Sequence, residues 1–277
     1  MITTMTQATG ARQQRPQAAF TMIEIAISLA VIGFALVAII GVLPTGLNVE
    51  KDNREDTIIN QDGPYLLEGI RGGVHGLDSL TNYFDSITVI TRDSAGGIST
   101  RIYTNTPVAG DWLTNGEVII GLLGTPRLPL GIPGVTNEVT AHVRALTGSA
   151  LEQSGANRAV ALNYFLRSEI VPYTFFASDT TNWWAYLSTP NNPATCTTPD
   201  CITRSNRWLQ AQALNTNLYE ARLKFSWPLF PNGNIGPNRQ IFRTLVSGKQ
   251  DNVSANGQSV PNLFFFQPLK YTQADKP

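Results

Sequence analysis

Phe20-Thr21-Met22-Ile23-Glu24, with the apolar run from Ile25 to Leu43 behind it, decides how the rest of the chain is read. Those 19 residues carry no charge, and Ser28 is the one polar side chain among them. As a helix rising 1.5 Å per residue the run spans about 28 Å, close to the ~30 Å hydrocarbon core of a bilayer. Glu24 stands at the very start of the run, where an unpaired charge costs on the order of 3 kcal/mol. A carboxylate placed there calls for a partner.

Arg12 and Arg15 lie upstream, and the first charges downstream form the mixed cluster Glu50, Lys51, Asp52, Arg54, Glu55 and Asp56. The positive-inside rule then keeps the short N-terminus in the cytoplasm and translocates the remainder. A secretory signal peptide and a plain signal anchor compete with a third reading. A signal peptide wants an apolar stretch of about 7–15 residues followed by a small-x-small cleavage site. Here the run is longer, it ends in Gly41-Val-Leu-Pro-Thr-Gly46, and the small pair Ala18-Ala19 precedes it.

Ala18-Ala19-Phe20-Thr21-Met22-Ile23-Glu24 resembles the prepilin-type processing motif of type IV pilins and type II secretion pseudopilins. The resemblance implies cleavage by a prepilin peptidase between Ala19 and Phe20, methylation of the new Phe20 amino group, and Glu24 as the fifth mature residue. Ala19 departs from the Gly usual in the family before the cut. The implied use of Glu24 is intermolecular: the Phe20 amine of an incoming subunit meets the Glu24 carboxylate of its neighbour. In a low-dielectric setting such a pair is stronger than in water, although desolvation offsets part of the gain. Ala26, Ala30, Gly33 and Gly41 share one helical face, which permits close helix approach. The alternative for Glu24 is the interfacial end of a signal anchor.

Composition limits the remainder of the chain. With 277 residues, 42% hydrophobic content, 23 Gly and 17 Pro, the chain can form one domain of about 200 residues beyond the anchor. A formal net charge of zero and 14% charged residues argue against a nucleic-acid partner. The expected division is a leader over 1–19, a transmembrane and assembly helix over 20–43, a helical stem over 44–73, and a β-rich head over 74–277. The expected fold class is α+β, a long N-terminal transmembrane helix packed on a mainly antiparallel β head that the resemblance implies is pilin-like. The resemblance places it in a bacterial inner membrane with a periplasmic head, and names other pilin-like subunits as partners through the N-terminal helix.

Within the stem, Pro44 and Gly46 predict a kink and Gly63-Pro64 a break, because proline lacks a backbone donor and crowds the preceding turn. Leu47 to Asn60 is expected as an amphipathic helix, and Tyr65 to Arg71 as another turn or two. From Ser86 the period becomes extended. Ser86–Asp93 and Gly97–Thr104 predict a hairpin about Ser94-Ala-Gly-Gly97. Glu117–Leu123, Glu138–Leu146 and Ala159–Val171 read as strands, and the Gly/Pro-rich stretch from Gly124 to Gly134 as an exposed loop unable to join a central strand. Tyr219, Ala221, Leu223, Phe225 and Trp227 alternate with polar residues, the clearest strand signal in the chain. Gln240–Val246 follows the Pro231-Asn-Gly-Asn234 turn as its partner, and Leu263–Phe266 supplies a last strand.

Phe34 to Gly46, Phe225 to Gly233 and Arg239 to Gly248 also resemble the Verru_Chthon cassette protein B family. That resemblance implies a minor pilin or pseudopilin role without an established biochemical activity. Residues 75 to 215 match no motif.

Cys196 and Cys201, separated by Thr-Thr-Pro-Asp, are expected to close a small disulfide loop in an oxidising compartment, with two free thiols as the alternative. A zinc site would need two further ligands, and His75 and His142 are far away, so no metal is expected. No nucleophile elbow, zinc-protease, phosphate-loop or CxxC signature occurs, and neither an enzyme activity nor a cofactor is expected. Asp62, Asp78, Asp85, Asp93 and Asp111 read as solvated turn residues rather than a calcium loop. Phe175, Phe176, Trp183, Trp184 and Tyr186 read as packing around a loop, with an exposed binding patch as the alternative. Two other classes stay open: a signal-anchored periplasmic protein whose β domain binds a carbohydrate or protein ligand, and a hydrolase for which no residues can be named.

Overall fold

The computed structural model describes residues 20–72, 77–105, 113, 115–129, 134–147, 161–173, 198–200, 202, 203, 206, 213, 214, 216–255 and 258–272. The expected leader, Cys196 and Cys201, His75, Asp111 and the aromatic cluster at 175–186 lie outside the described residues. The chain divides into two units, residues 1–54 and 55–277.

The first described element is α1, Met22–Gly72. Its part in the first unit is exposed throughout, from Met22 to Arg54. Its part in the second unit buries Glu55, Ile58, Ile59, Asp62, Gly63, Leu66, Leu67 and Ile70. That spacing of three and four residues is one face of a 3.6-residue helix. The helix runs unbroken through Gly63-Pro64, against the break expected there, and it also continues past Pro44. A proline inside a helix forfeits one bond and costs about 3 kcal/mol. At Pro64 the buried side chains on either side, Ile59 and Leu66, hold the helix in register and offset that loss.

The second unit is α+β. Strands β1 (Phe84–Arg92), β2 (Ile98–Thr104), β3 (Thr136–Arg144), β4 (Asn163–Pro172), β5 (Leu218–Leu229) and β6 (Ile235–Ser247) form one sheet in the order β2-β1-β3-β4-β5-β6. Every adjacent pair is antiparallel. The expected β1–β2 hairpin forms, and Asp93 Oδ1 fixes its turn by accepting the amides of Ala95 and Gly97 at 2.9 and 2.6 Å. The alternation at Tyr219–Trp227 lies in strand β5, and Tyr219, Ala221, Leu223, Phe225 and Trp227 are all buried. A second, two-stranded sheet pairs β7 (Lys249–Ala255) with β8 (Gln258–Gln267). The strand at Leu263–Phe266 is legible in the sequence, whereas the polar β7 carries no alternating signal.

Glu117–Leu123 is not a strand but lies in helix α2, Gly116–Leu123. The β-branched run Val118-Ile119-Ile120 suggests extension, yet Asn115 caps a helix by accepting the Val118 amide at 3.0 Å. Burial of Ile119, Ile120, Leu122 and Leu123 does the rest. The stretch after α2 is also not an exposed loop at its start. Gly124, Thr125 and Pro126 are buried, Pro126 bridges to Ile170, and the Arg127 amide donates to the Ile170 carbonyl at 2.8 Å. Pro126 can sit beside β4 because Asn137 Nδ2 satisfies its carbonyl at 2.9 Å and it has no amide to satisfy.

One core lies on the inner face of the six-stranded sheet. Ile87, Val139, Leu166, Leu223 and Phe225 point into it, and side chains from α1, α2 and Phe266 of β8 cover them. Gly121 and Gly124 let β8 approach, since a Cβ at either would overlap Phe265 or the Phe264 carbonyl. The outer face carries alternating charge. Arg92 and Arg167 flank Glu138 at 3.5 and 3.2 Å, and Arg167 and Lys224 reach Glu169 at 3.2 and 2.8 Å. Arg222 and Arg243 flank Glu220 at 2.5 and 3.9 Å.

Candidate functional site: the helix start at Glu24 and the Asp62 node

Phe20 precedes α1, and Thr21 and Glu24 form its first turn. The Glu24 carboxylate accepts both the Thr21 amide and the Thr21 hydroxyl at 2.8 Å, while the Glu24 amide donates to Thr21 Oγ1 at 3.4 Å. This is the reciprocal capping box that Thr-x-x-Glu builds at a helix N-terminus. A negative charge there also meets the positive end of the helix dipole. Among the described residues no cation reaches Glu24. Ala19, the other half of the expected processing junction, lies outside the described residues.

From Phe20 through Arg54 every side chain is exposed. The helix is long and apolar enough to cross a membrane by length and composition, a test that a membrane anchor and a signal sequence both pass. Fully burying one Leu, Ile or Phe side chain contributes about 1.5–3 kcal/mol. With its side chains exposed, the run leaves that contribution unused at each of these residues. Gly33 and Gly41 have open space beside them, as the small-residue face requires for close approach.

The second constellation is one that the sequence reading missed. Asp62 is not a solvated turn residue: it sits on α1 and is fully buried. Its Oδ2 accepts the Leu146 amide at 2.9 Å and the Tyr164 hydroxyl at 3.0 Å. Its Oδ1 accepts the Thr147 amide at 3.0 Å and the Thr147 hydroxyl at 2.7 Å. Burial raises the Asp62 pKa above the usual carboxylate range, and the four hydrogen bonds pull it back only in part. Burial, and then the Asp62 charge, pushes the Tyr164 phenol well above its ordinary value. The arrangement ties the helix to the end of β3 and to β4. The one available signal in the sequence is that Asp62 falls on the helical stripe of Ile58, Ile59, Leu66 and Ile70.

Asp85 and Asp93 are exposed. His142 is exposed on β3 with its ring centroid 5.8 Å from that of Phe165. Among the described residues no group of three His, Cys, Asp or Glu side chains could hold a metal ion. Comparison with protein-family models, with curated proteins and with solved structures finds no match to this chain.

Proposed function

We propose that this chain is a minor pilin- or pseudopilin-like subunit, cut before Phe20 by a prepilin peptidase and assembled through its N-terminal helix. The observation that carries the reading is Glu24 in the first turn of a fully exposed, bilayer-length apolar helix, four residues after a small-residue junction. In the stored subunit the Thr21 cap occupies the carboxylate and lowers the cost of holding it at the membrane face. Cleavage frees an amine at Phe20. A neighbouring copy can then offer that cation to Glu24, and the low dielectric between packed helices strengthens the pair. The axial stagger between subunits follows from matching one amine to one carboxylate. On this reading the first unit lies in a bacterial inner membrane, the second on its periplasmic side, and the chain has no enzyme activity.

The capping box also favours a second reading, because Glu24 is satisfied within its own chain. The protein is then a single-pass anchored periplasmic domain that binds a ligand or another protein. Mass spectrometry of the mature N-terminus, together with the Glu24→Ala variant, separates the two. N-methyl-Phe20, and a variant that inserts in the membrane but enters no fibre, fit the subunit. An intact leader, and a variant that differs from the parent only in helix stability, fit the anchor.

A further inference from the structure

Strands β2 and β6 close the two ends of the six-stranded sheet. Edge strands present backbone donors and acceptors to any chain that lies beside them, and proteins blunt such edges with proline and charge. On β6 these devices crowd the start, with Pro237 and Arg239, while Gln240–Ser247 holds Arg243 alone. Two aliphatic pairs stand out on the edges. Ile241 and Leu245 of β6 are 47% and 50% exposed, and Ile98 and Ile102 of β2 are 64% and 54% exposed. Each pair is four residues apart, about 13 Å along a strand. Both pairs lie on the outer, charged face, since Ile98 stands opposite Arg92 and Ile241 opposite Lys224.

We infer that β6 of one copy pairs antiparallel with β2 of a second copy, in the register that sets Ile241 opposite Ile102 and Leu245 opposite Ile98. The sheet is antiparallel throughout and has an even number of strands, so β2 and β6 run in opposite directions. Adding the next copy's β2 to β6 therefore continues the same alternation. In this register Ile98–Tyr103 lies along Gln240–Leu245, stopping short of Thr104, whose carbonyl already accepts the Leu113 amide at 3.1 Å, and Pro237 falls beyond the paired stretch. On the inner face Arg101 of the added strand stands opposite Phe242. There a groove of about 270 Å³ is lined by Pro64, Leu67, Glu68, Phe242, Arg243 and Thr244. Its volume is below the 300–1,000 Å³ of small-molecule sites, and it suits a side chain arriving on an added strand. Glu68 on its wall, which Arg71 reaches at 3.4 Å, is opposite in charge to Arg101. Two β6 strands pairing with each other across the same aliphatic contacts would instead set Arg243 against Arg243, a like-charge pair that is destabilising. The contact joins two different patches, so it is open-ended rather than closed on a pair. It is independent of how the N-terminal helix is used.

The test uses the full chain in detergent micelles in a Cys196→Ser, Cys201→Ser background. Opposed residues of an antiparallel pair have Cα atoms about 4.5–5.5 Å apart, within disulfide reach. Mild oxidation of Ile102→Cys with Ile241→Cys should give a series of dimers, trimers and higher species. Mixing the two single variants should give dimers only, and each single variant alone should stay monomeric. Absence of cross-linking in the double variant, or a dimer from either single variant alone, overturns the inference. Without cysteines, Ile102→Lys should weaken self-association up to about fivefold, and adding Ile241→Glu should restore it; a double variant as weak as the single one also overturns it. The cross-linked series should persist with Glu24→Ala, which separates this contact from assembly through the helix, and its loss there overturns a contact made by the heads.

Discussion

The Tyr164 hydroxyl of β4 donates to the Asp62 carboxylate of α1 at 3.0 Å, with both side chains wholly shielded from water. Four donors meet one carboxylate, and no described cation shares the site. Removing the carboxylate strands two backbone amides and the Tyr164 hydroxyl, each unsatisfied donor costing about 1–3 kcal/mol, while the Thr147 hydroxyl keeps the Ile58 carbonyl at 3.4 Å. Asp62→Ala should therefore destabilise the second unit by about 3–5 kcal/mol, and Tyr164→Phe by about 1 kcal/mol. Urea denaturation followed by tryptophan fluorescence measures both. Equal losses for the two variants would count against the carboxylate as the centre of the node.

Acid and neutral pH act oppositely on two groups of carboxylates. Burial holds Asp62 above its usual value, so its contribution is full below the unfolded value of about 3.9 and is lost as pH rises through the folded one. Burial also works against the Glu169 charge, but the Lys224 hydrogen bond and the Lys224, Arg167 and Arg127 charges outweigh it and lower its pKa. The Arg222 hydrogen bond, against some desolvation, does the same for Glu220. Stability from these two is present above about 4.3 and falls away as pH falls. The urea midpoint of Glu169→Gln should accordingly change less than that of the parent between about pH 5 and pH 3. Asp62→Asn should show a steeper rise of its midpoint with pH than the parent. Parallel profiles for all three proteins would remove this assignment of charges.

Gly63 faces the Phe242 ring so closely that an added Cβ would overlap it. In an open helix, Gly→Ala stabilises by about 0.5–1 kcal/mol. Here overpacking costs about 1–3 kcal/mol and outweighs that gain. A lower melting temperature for Gly63→Ala is the expected result, and a higher one would mean that helix and β6 are not in contact at this point.

The apolar run predicts its own sensitivity. Ala35→Arg puts a cation near the middle of Ile25–Leu43, at a cost of about 3 kcal/mol to insertion. The fraction of chain resisting carbonate extraction from membranes should fall, whereas Thr45→Arg, just past the run, should leave it unchanged. Equal extraction of both variants would show that the run does not cross the bilayer.

Local sequence is most readable where one period governs many residues. Strand β5 and the β1–β2 hairpin follow directly from alternation and a turn. The apolar run is equally plain, because nineteen uncharged residues allow few environments. Three stretches mislead for one reason, that packing overrides local preference. Val118-Ile119-Ile120 has β-branched character but is capped by Asn115 and buried as a helix. Pro64 is a helix breaker held in place by core residues on both sides. Pro126, in a loop-like composition, joins β4 beyond the outermost β3–β4 pair, Val139 with Ser168.

The sequence alone determined a bilayer-length apolar run headed by Glu24 and an antiparallel β-rich remainder, because each depends on residues adjacent in the chain. Tertiary structure alone decided the role of Asp62 and the strand order that leaves β2 and β6 at the edges. Asp62 meets Leu146, Thr147 and Tyr164 from 84 to 102 residues away in sequence. No local pattern encodes a partner at that distance, and only folding supplies the four donors that make a buried carboxylate tolerable.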